Sequence, residues 1–312
     1  MKRIRLALIA ACIVMLAVAG NAFAQNTKDT QKQVVPASKH LNVLAIGNSF
    51  SVSLKRYFVQ VVESVPGCTI DFDHLTIGGC SLEHHWKNID KESKEPDFKY
   101  FKKYTYAEKL KSKKWDVVSI QQVSHVSWQK ETFFPYARNL YNFIHENAPQ
   151  AEIVLQQTWS YRPDSPRLAQ WAFDQNEMYD RLAQAIAYVA TELNVRQIPT
   201  GLALQIARKT QAGGYDNPSC LPSNYVYPNV ADTSRHFIGG KPEWKEGKYV
   251  PGDTIHLNAR GQYLQACVWF AELYGRNATE ITFVPKELTA SDAEFLRNVA
   301  QQAVTQFKQV NH

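Results

Sequence analysis

The sequence predicts an α/β chain in which a central parallel sheet of five strands is sandwiched between helices. Short apolar runs of strand length recur at residues 42–46, 69–77, 115–121, 152–158 and 195–199. Amphipathic helical patterns lie between and after them, and strands that alternate with helices build parallel sheets through crossover connections. The chain has 312 residues, 45% of them hydrophobic, which is ample material for one large domain.

The N-terminus reads as an address. Lys2, Arg3 and Arg5 precede the apolar run 6–19, and Ala22-Phe23-Ala24 supplies a small-x-small cleavage site. That is the pattern of a secretory signal peptide over residues 1–24, cleaved after Ala24, and the run is too short for a ~20-residue membrane span. A lipoprotein reading would use Ile9-Ala10-Ala11-Cys12 with Cys12 as anchor. It leaves only residues 6–11 as the apolar region, short of the roughly 7–15 an h-region needs. The expected mature protein is therefore exported, periplasmic or secreted, with no transmembrane span. Residues 25–40 are polar and without period, a flexible leader, and one catalytic domain is expected over 41–312. The signal holds three of the 35 Lys and Arg, which leaves 32 against 29 acids, a net charge of about +3 with neutral His. So mild a charge, with no Lys/Arg block or aromatic-basic repeat, argues against nucleic acid as a partner.

Within the domain, Met178, Leu182, Ile186, Val189 and Leu193 recur at helical steps in the segment 171–193. Residues 263–274 and 291–307 form further helices. The last uses Phe295, Val299, Ala303 and Phe307 as its apolar stripe, with Ser291 and Glu294 at capping-box spacing. Two stretches break the rhythm. Residues 83–114 are Lys-rich, with Trp86, Phe98, Tyr100, Phe101, Tyr104 and Tyr106 interleaved. Residues 211–251, rich in Gly, Pro, Asn and Tyr, read as a long irregular insertion of the functional or poorly ordered kind. Cys68, Cys80, Cys220 and Cys267 remain after processing. An oxidising compartment permits disulfides among them, buried free thiols are the plainer expectation, and no Cys/His spacing indicates zinc.

In an open parallel sheet, ligands sit outside the carboxyl ends of the strands. The first strand delivers Gly47-Asn48-Ser49 to that edge and the second Gly78-Gly79-Cys80-Ser81. The third brings Gln121-Gln122-Val123-Ser124-His125 and the fourth Thr158-Trp159-Ser160-Tyr161-Arg162. Near the chain's end comes Pro251-Gly252-Asp253-Thr254-Ile255-His256-Leu257-Asn258. Asp253 and His256 are three apart, so one helical turn faces them the same way. A serine nucleophile needs an imidazole to take its proton, a carboxylate to fix the imidazole, and donors for the oxyanion. Ser49, His256 and Asp253 fill the first three roles. The N–H of Ser49, those of Gly78 and Gly79, and the amide of Gln121 or Gln122 fill the fourth. Ser49 or Ser51 also suits the N-cap of the helix that follows. With Ser51 where a glycine would stand, the stretch is not the G-x-S-x-G nucleophile elbow.

This set of motifs, in this order over residues 41–274, resembles the SGNH hydrolases, also called GDSL-type esterases. The matching pieces are Gly47-Asn48-Ser49, the glycine at 78 or 79, and Asp253-Thr254-Ile255-His256. The resemblance implies a three-layer α/β/α flavodoxin-like fold and acyl-ester hydrolysis through Ser49, His256 and Asp253. Two positions depart from the pattern. Asn48 stands where the family has Asp, and the third block lacks the usual asparagine. There a strand-end glutamine, as in related carbohydrate O-acetylesterases, implies Gln121 or Gln122 as the donor, with His125 a third candidate.

Other clusters compete with this set. His84 and His85, with Asp71, Asp73 and His74 nearby, lack metal-ligand spacing, so no metal is expected. Asp232 and His236 form a rival pair, without a strand or helix to hold them. Trp159, Tyr161 and Arg162 suit stacking on a sugar or holding an acid group, although Trp159 also suits a core. Tyr215, Tyr225, Tyr227 and Trp244 have the composition of a carbohydrate-facing cap. Asn277-Ala278-Thr279 fits a glycosylation sequon. Together these expectations describe an exported serine esterase that needs no cofactor and removes acyl groups, most simply acetyl, from a glycan or small-molecule ester. The rivals are a non-catalytic carbohydrate-binding protein of the same fold and a lipase or thioesterase, which would want a more apolar cap.

Overall fold

Val43, Leu44, Ala45 and Ile46 leave no polar face, and a strand of that kind belongs in the middle of a sheet covered on both sides. In the computed structural model, which describes residues 38–213, 226–230 and 232–310, they are fully buried in β1 (Lys39–Gly47). Four strands join it in parallel: β2 (Cys68–Thr76), β3 (Val117–Ile120), β4 (Glu152–Gln156) and β5 (Gln197–Ile198). Their order, β2-β1-β3-β4-β5, is that of a flavodoxin-like doubly wound sheet.

That order places the helices. The chain first steps from β1 out to β2, then back past β1 to β3 and on to β5. Right-handed crossovers put the two directions of travel on opposite faces. On one face lie α1 (Ser49–Val52) and α2 (Phe58–Glu63); on the other lie α3 (Leu82–Lys94), α4 (Tyr106–Lys111) and α5 (Tyr136–Asn147). The short α6 (Pro166–Trp171) and α7 (Gln175–Leu193) follow β4, and α7 packs on α5. After β5, α8 (Thr200–Thr210), α9 (Ala259–Tyr274) and α10 (Ala290–Val310) pack on one another, with α9 also against α2. Almost every side chain of α9 from Tyr263 onward is buried, as a helix between sheet and outer helix requires. The chain thus reverses between β1 and β3, and Ser49 follows β1 at that switch point.

Several expectations are corrected. Residues 83–114 are largely helical: α3 turns Leu82, His85, Asn88 and Ile89 inward, and α4 starts in a capping box of Thr105 and Glu108. Surface lysines on an amphipathic helix had disguised it. The insertion contains a hairpin of β6 (Glu243–Lys245) and β7 (Lys248–Val250). Its two-residue loop has φ of 50° at Glu246 and 72° at Gly247, the sign pair of a type I′ turn. The first turn of α10 is capped by Thr289, whose Oγ1 accepts from the Asp292 N–H at 3.1 Å, and not by Ser291. Residues 39 and 40, assigned to the leader, already belong to β1. The signal segment, Tyr215, Cys220 and Tyr225 lie outside the described residues. Cys68, Cys80 and Cys267 are buried free thiols.

Candidate active site

The turn after β1 is held by an amide. Asn48, in extended conformation, is the N-cap of α1, its Oδ1 accepting from the Phe50 N–H at 3.1 Å. Neither Ser49 nor Ser51 takes that role. The Asn48 Nδ2 donates to the Cys80 carbonyl at 3.0 Å, and the Gln121 Nε2 donates to Asn48 Oδ1 at 2.7 Å. Ser51 Oγ donates in turn to Gln121 Oε1 at 3.1 Å. Asn48 therefore both donates and accepts, which a carboxylate cannot do. Gly47 is required by space, since a Cβ there would lie 2.4 Å from Ser51 Oγ.

A histidine that the sequence raised only as a metal candidate supports the same turn from α3. His85 is fully buried, with Nε2 2.8 Å from the Gly47 carbonyl and Nδ1 2.7 Å from the Tyr106 hydroxyl. A carbonyl only accepts, so Nε2 carries the proton and Nδ1 accepts from Tyr106. Burial drives the ring down to about 4, against the carbonyl bond that favours the charged form. The only sequence signal was its place on the inward stripe of α3.

Ser49 Oγ lies 2.8 Å from His256 Nε2, and His256 Nδ1 lies 2.8 Å from Asp253 Oδ2. A carboxylate accepts, so Nδ1 holds the proton and Nε2 is free to accept the Ser49 hydroxyl proton. The other Asp253 oxygen accepts the N–H groups of Ile255 and His256 at 2.9 and 3.0 Å. Burial opposes the carboxylate's charge, but these bonds and the His256 ring outweigh it and hold the group down to about 2. The Asp253 charge is therefore secure at neutral pH.

Of the residues expected to touch substrate at the end of β4, Arg162 instead builds this loop, which corrects its assignment. Arg162 is fully buried. Its Nε and Nη2 pair with Asp164 at 2.6 and 2.9 Å, and Nη1 donates to the carbonyls of Gly239 and Gly240 at 3.0 and 2.7 Å. It also reaches the carbonyls of Pro251 and Asp253, and its own N–H holds that of Thr254 at 2.9 Å. Trp159 Nε1 donates to the Ile255 carbonyl at 2.9 Å, and its ring stacks on Phe50 with centroids 3.8 Å apart. Phe50 meets the His256 ring edge-on at 5.8 Å. Trp159 is thus fully buried beneath the site, one face of its ring covered by Phe50, and it lines the floor of the cleft at Ser49 and His256. Tyr161 is fully buried and shares a 2.8 Å hydrogen bond with Ser124.

The oxyanion donors are also revised. Gln121 is fully buried in the Asn48 network, so its amide does not meet a ligand. Gln122 is spent on Leu82 N–H and Val123 N–H through Oε1 and on the Thr132 carbonyl through Nε2. His125 is half-buried, its ring pushed below the usual value by burial and by Arg167. What remains open is backbone. Among the described residues the N–H groups of Ser49, Gly78 and Gly79 make no hydrogen bond, Gly78 and Gly79 are exposed, and Gly79 has φ of +62°. The Asn48–Cys80 bond and the Ile77 N–H to Gly47 carbonyl bond at 3.2 Å hold that glycine turn against the nucleophile turn.

A cleft of about 470 Å³ opens at Ser49 and His256, bounded by Val52, Lys55, Arg56 and Gln262. The rival Asp232 is exposed and caps its own turn through the Ser234 N–H at 2.9 Å, while His236 is buried and its carbonyl accepts from Arg208. Asp71 and Asp73, in the His/Asp cluster where no metal is expected, are paired with Lys113 and Lys109. Among the described residues no group of three or more His, Cys, Asp or Glu gathers as a metal site.

Comparison with known proteins agrees with this fold. The chain is similar to a DUF4886 family protein from Bacteroides uniformis, at 25% identity and a TM-score of 0.68, covering 86% of this chain and 95% of that one. More distant matches include a protein assigned to the SGNH hydrolases from Slackia heliotrinireducens, at 17% identity, a TM-score of 0.45, and coverage of 74% and 98%. Another is a lipase/acylhydrolase from Enterococcus faecalis, at 14% identity, a TM-score of 0.40, and coverage of 76% and 96%. No curated protein matches the chain. The family model of DUF4886, a domain of unknown function, matches residues 42–221, more than half of the sequence, and the chain belongs to that family.

Proposed function

We propose that the protein is a serine ester hydrolase that removes a small acyl group, acetyl in the simplest case, from a carbohydrate. The observation that carries this is the continuous relay from Ser49 Oγ through the His256 ring to Asp253, with open backbone N–H groups beside it. The Ser49 oxygen attacks the ester carbonyl as its proton passes to His256 Nε2. The carbonyl oxygen, now anionic, is met by the N–H groups of Ser49 and Gly79, each such donor supplying roughly 3–4 kcal/mol. Collapse of the tetrahedral intermediate breaks the bond to the alcohol oxygen, which leaves with the proton from His256. Water then repeats the sequence on the acyl-serine, releases the carboxylic acid and restores the hydroxyl. Every group in this cycle belongs to the chain itself.

The carbohydrate part of the reading is supported by the hairpin that leads into the Asp253 loop. It presents Trp244, with Tyr227 and Tyr249 packed edge-on at 5.7 Å each, and Tyr227 is 63% exposed. Exposed aromatic faces of this kind suit sugar rings. The signal-like N-terminus supports action after export. Turnover of p-nitrophenyl acetate by the wild type and by Ser49→Ala tests the proposal. Loss of activity in the variant is expected, and equal activity in the two proteins overturns it. Preference for long acyl chains over acetyl would replace the carbohydrate reading with a lipase.

A further inference from the structure

The cleft beside Ser49 is not electrically neutral, and the chemistry identifies which part of the substrate it receives. His256 returns its proton to the leaving alkoxide, so the alcohol half of the ester sits on the His256 side of Ser49. The glycine turn, with its open N–H groups, takes the carbonyl oxygen on the other side. The cleft lies on the alcohol side, because His256, Leu257 and Gln262 form one wall. The opposite wall is α1 and the 3-10 turn after it (Ser53–Arg56), which contributes Val52, Lys55 and Arg56.

That wall carries two cations, and no Asp or Glu lines the cleft. Arg56 is fixed in place: it donates to Gln262 Oε1 at 3.1 Å and to Glu287 Oε1 at 2.8 Å, and lies over the Tyr57 ring at 5.1 Å. Its charge is largely offset by Glu287. Lys55 is exposed and, among the described residues, makes no ion pair or side-chain hydrogen bond. Its charge acts on His74, whose ring is pushed below the usual value first by burial and then by Lys55. Of the acids nearby, Asp73 is paired with Lys109, and Asp253 is bonded to the side of the His256 ring away from Ser49.

We infer that the alcohol half of the substrate is an acidic sugar, a uronate whose carboxylate is met by Lys55 with Arg56 beside it. This rests on the esterase reading above and adds the charge of the substrate. An exposed pair of this kind is worth roughly two- to five-fold in affinity, and salt screens it.

The experiment compares two esters that differ at one carbon, an O-acetylated methyl glucuronoside and the O-acetylated methyl glucoside. Hydrolysis by the wild type, Lys55→Gln and Lys55→Glu is followed at low and high salt. The wild type should favour the uronoside in kcat/KM by about three-fold or more at low salt, through KM. That ratio should shrink in Lys55→Gln, invert in Lys55→Glu and fall with salt. Equal kcat/KM for the two esters, or a ratio that the Lys55 variants do not move, overturns the inference. Ser49-dependent turnover of p-nitrophenyl acetate separates the two levels. If it persists without a charge preference, the esterase reading stands and the acidic sugar is wrong. If it is absent, both fall.

Discussion

The Gln121 side-chain nitrogen donates to the Asn48 side-chain oxygen at 2.7 Å, while the Asn48 nitrogen donates to the Cys80 carbonyl at 3.0 Å. These two bonds run in opposite senses through one amide. They tie the asparagine after the first glycine to the glutamine at the end of β3. Asn48→Asp should leave the Cys80 carbonyl unpaired and set a carboxylate oxygen against it. A loss of about 1–3 kcal/mol in urea unfolding is expected, with a lower kcat on p-nitrophenyl acetate, because Ser49 follows directly. Wild-type stability and rate in Asn48→Asp would refute the network.

Asp253→Asn should keep the shape of the loop and spoil the tautomer, since an amide can present N–H to His256 Nδ1. A fall in kcat of about 10³–10⁴-fold with a near-native urea midpoint is expected. The charge also has a pH signature. The folded carboxyl is depressed to about 2, below its unfolded value, so its hydrogen bonds to the His256 ring and the loop N–H groups contribute fully above the ordinary carboxylate range. That contribution is lost only as pH falls through about 2. The ¹³C shift of the Asp253 carboxyl should therefore stay flat from pH 7 to pH 4, and an inflection in that window would contradict the bonding described.

Arg162 makes a sharper test of what holds the His256 loop. Its guanidinium and Asp164 are both fully buried, and removing one partner strands the other's charge. Arg162→Met should cost about 3–5 kcal/mol. Arg162→Lys should recover little, because an ammonium cannot span the carboxylate and the Gly239, Gly240 and Pro251 carbonyls at once. A milder variant guards against a protein that does not fold. Tyr249→Phe removes one 2.8 Å bond to Asp164 and should cost about 1 kcal/mol. Arg162→Lys with native stability would return the residue to a substrate role.

The relay was legible because its parts are local signals: a serine at the end of an apolar strand, and an Asp and a His three residues apart. The sheet was legible for a similar reason, as each strand is a short apolar run. The supporting groups were not. Arg162 reads as a polar residue at a strand end, a natural ligand-holding position. Its burial depends on carbonyls contributed by residues 239–240 and 251–253, which no short pattern ties to it. Gln121 looked like a free amide because its partner, Asn48, lies on a different strand's loop. Trp159 offered a flat ring, and the stacking of Phe50 covers one face of it while the residue still lines the cleft floor. Polar residues that gather at one sheet edge thus divide into those that face the cleft and those that brace it, and the division is made by tertiary contacts.

His85 supplies the last test. The folded protein holds it neutral, protonated on Nε2 toward the Gly47 carbonyl, with its pKa at about 4 against an ordinary value of 6.5. The unfolded chain takes up a proton near pH 6.5 that the folded chain accepts only near pH 4. Stability from this group is therefore complete above pH 6.5 and is lost progressively as pH falls toward 4, by about 3 kcal/mol over the window. His85→Gln, which keeps a donor near Gly47 but does not titrate, should be less stable than the wild type at pH 7.5. It should also show a shallower decline in melting temperature between pH 6.5 and 4. Because Gly47 immediately precedes Asn48 and Ser49, the same variant should lower kcat at neutral pH while leaving KM nearly unchanged. Parallel pH profiles for the two proteins would mean that the imidazole titrates freely and that the turn is held by Asn48 alone.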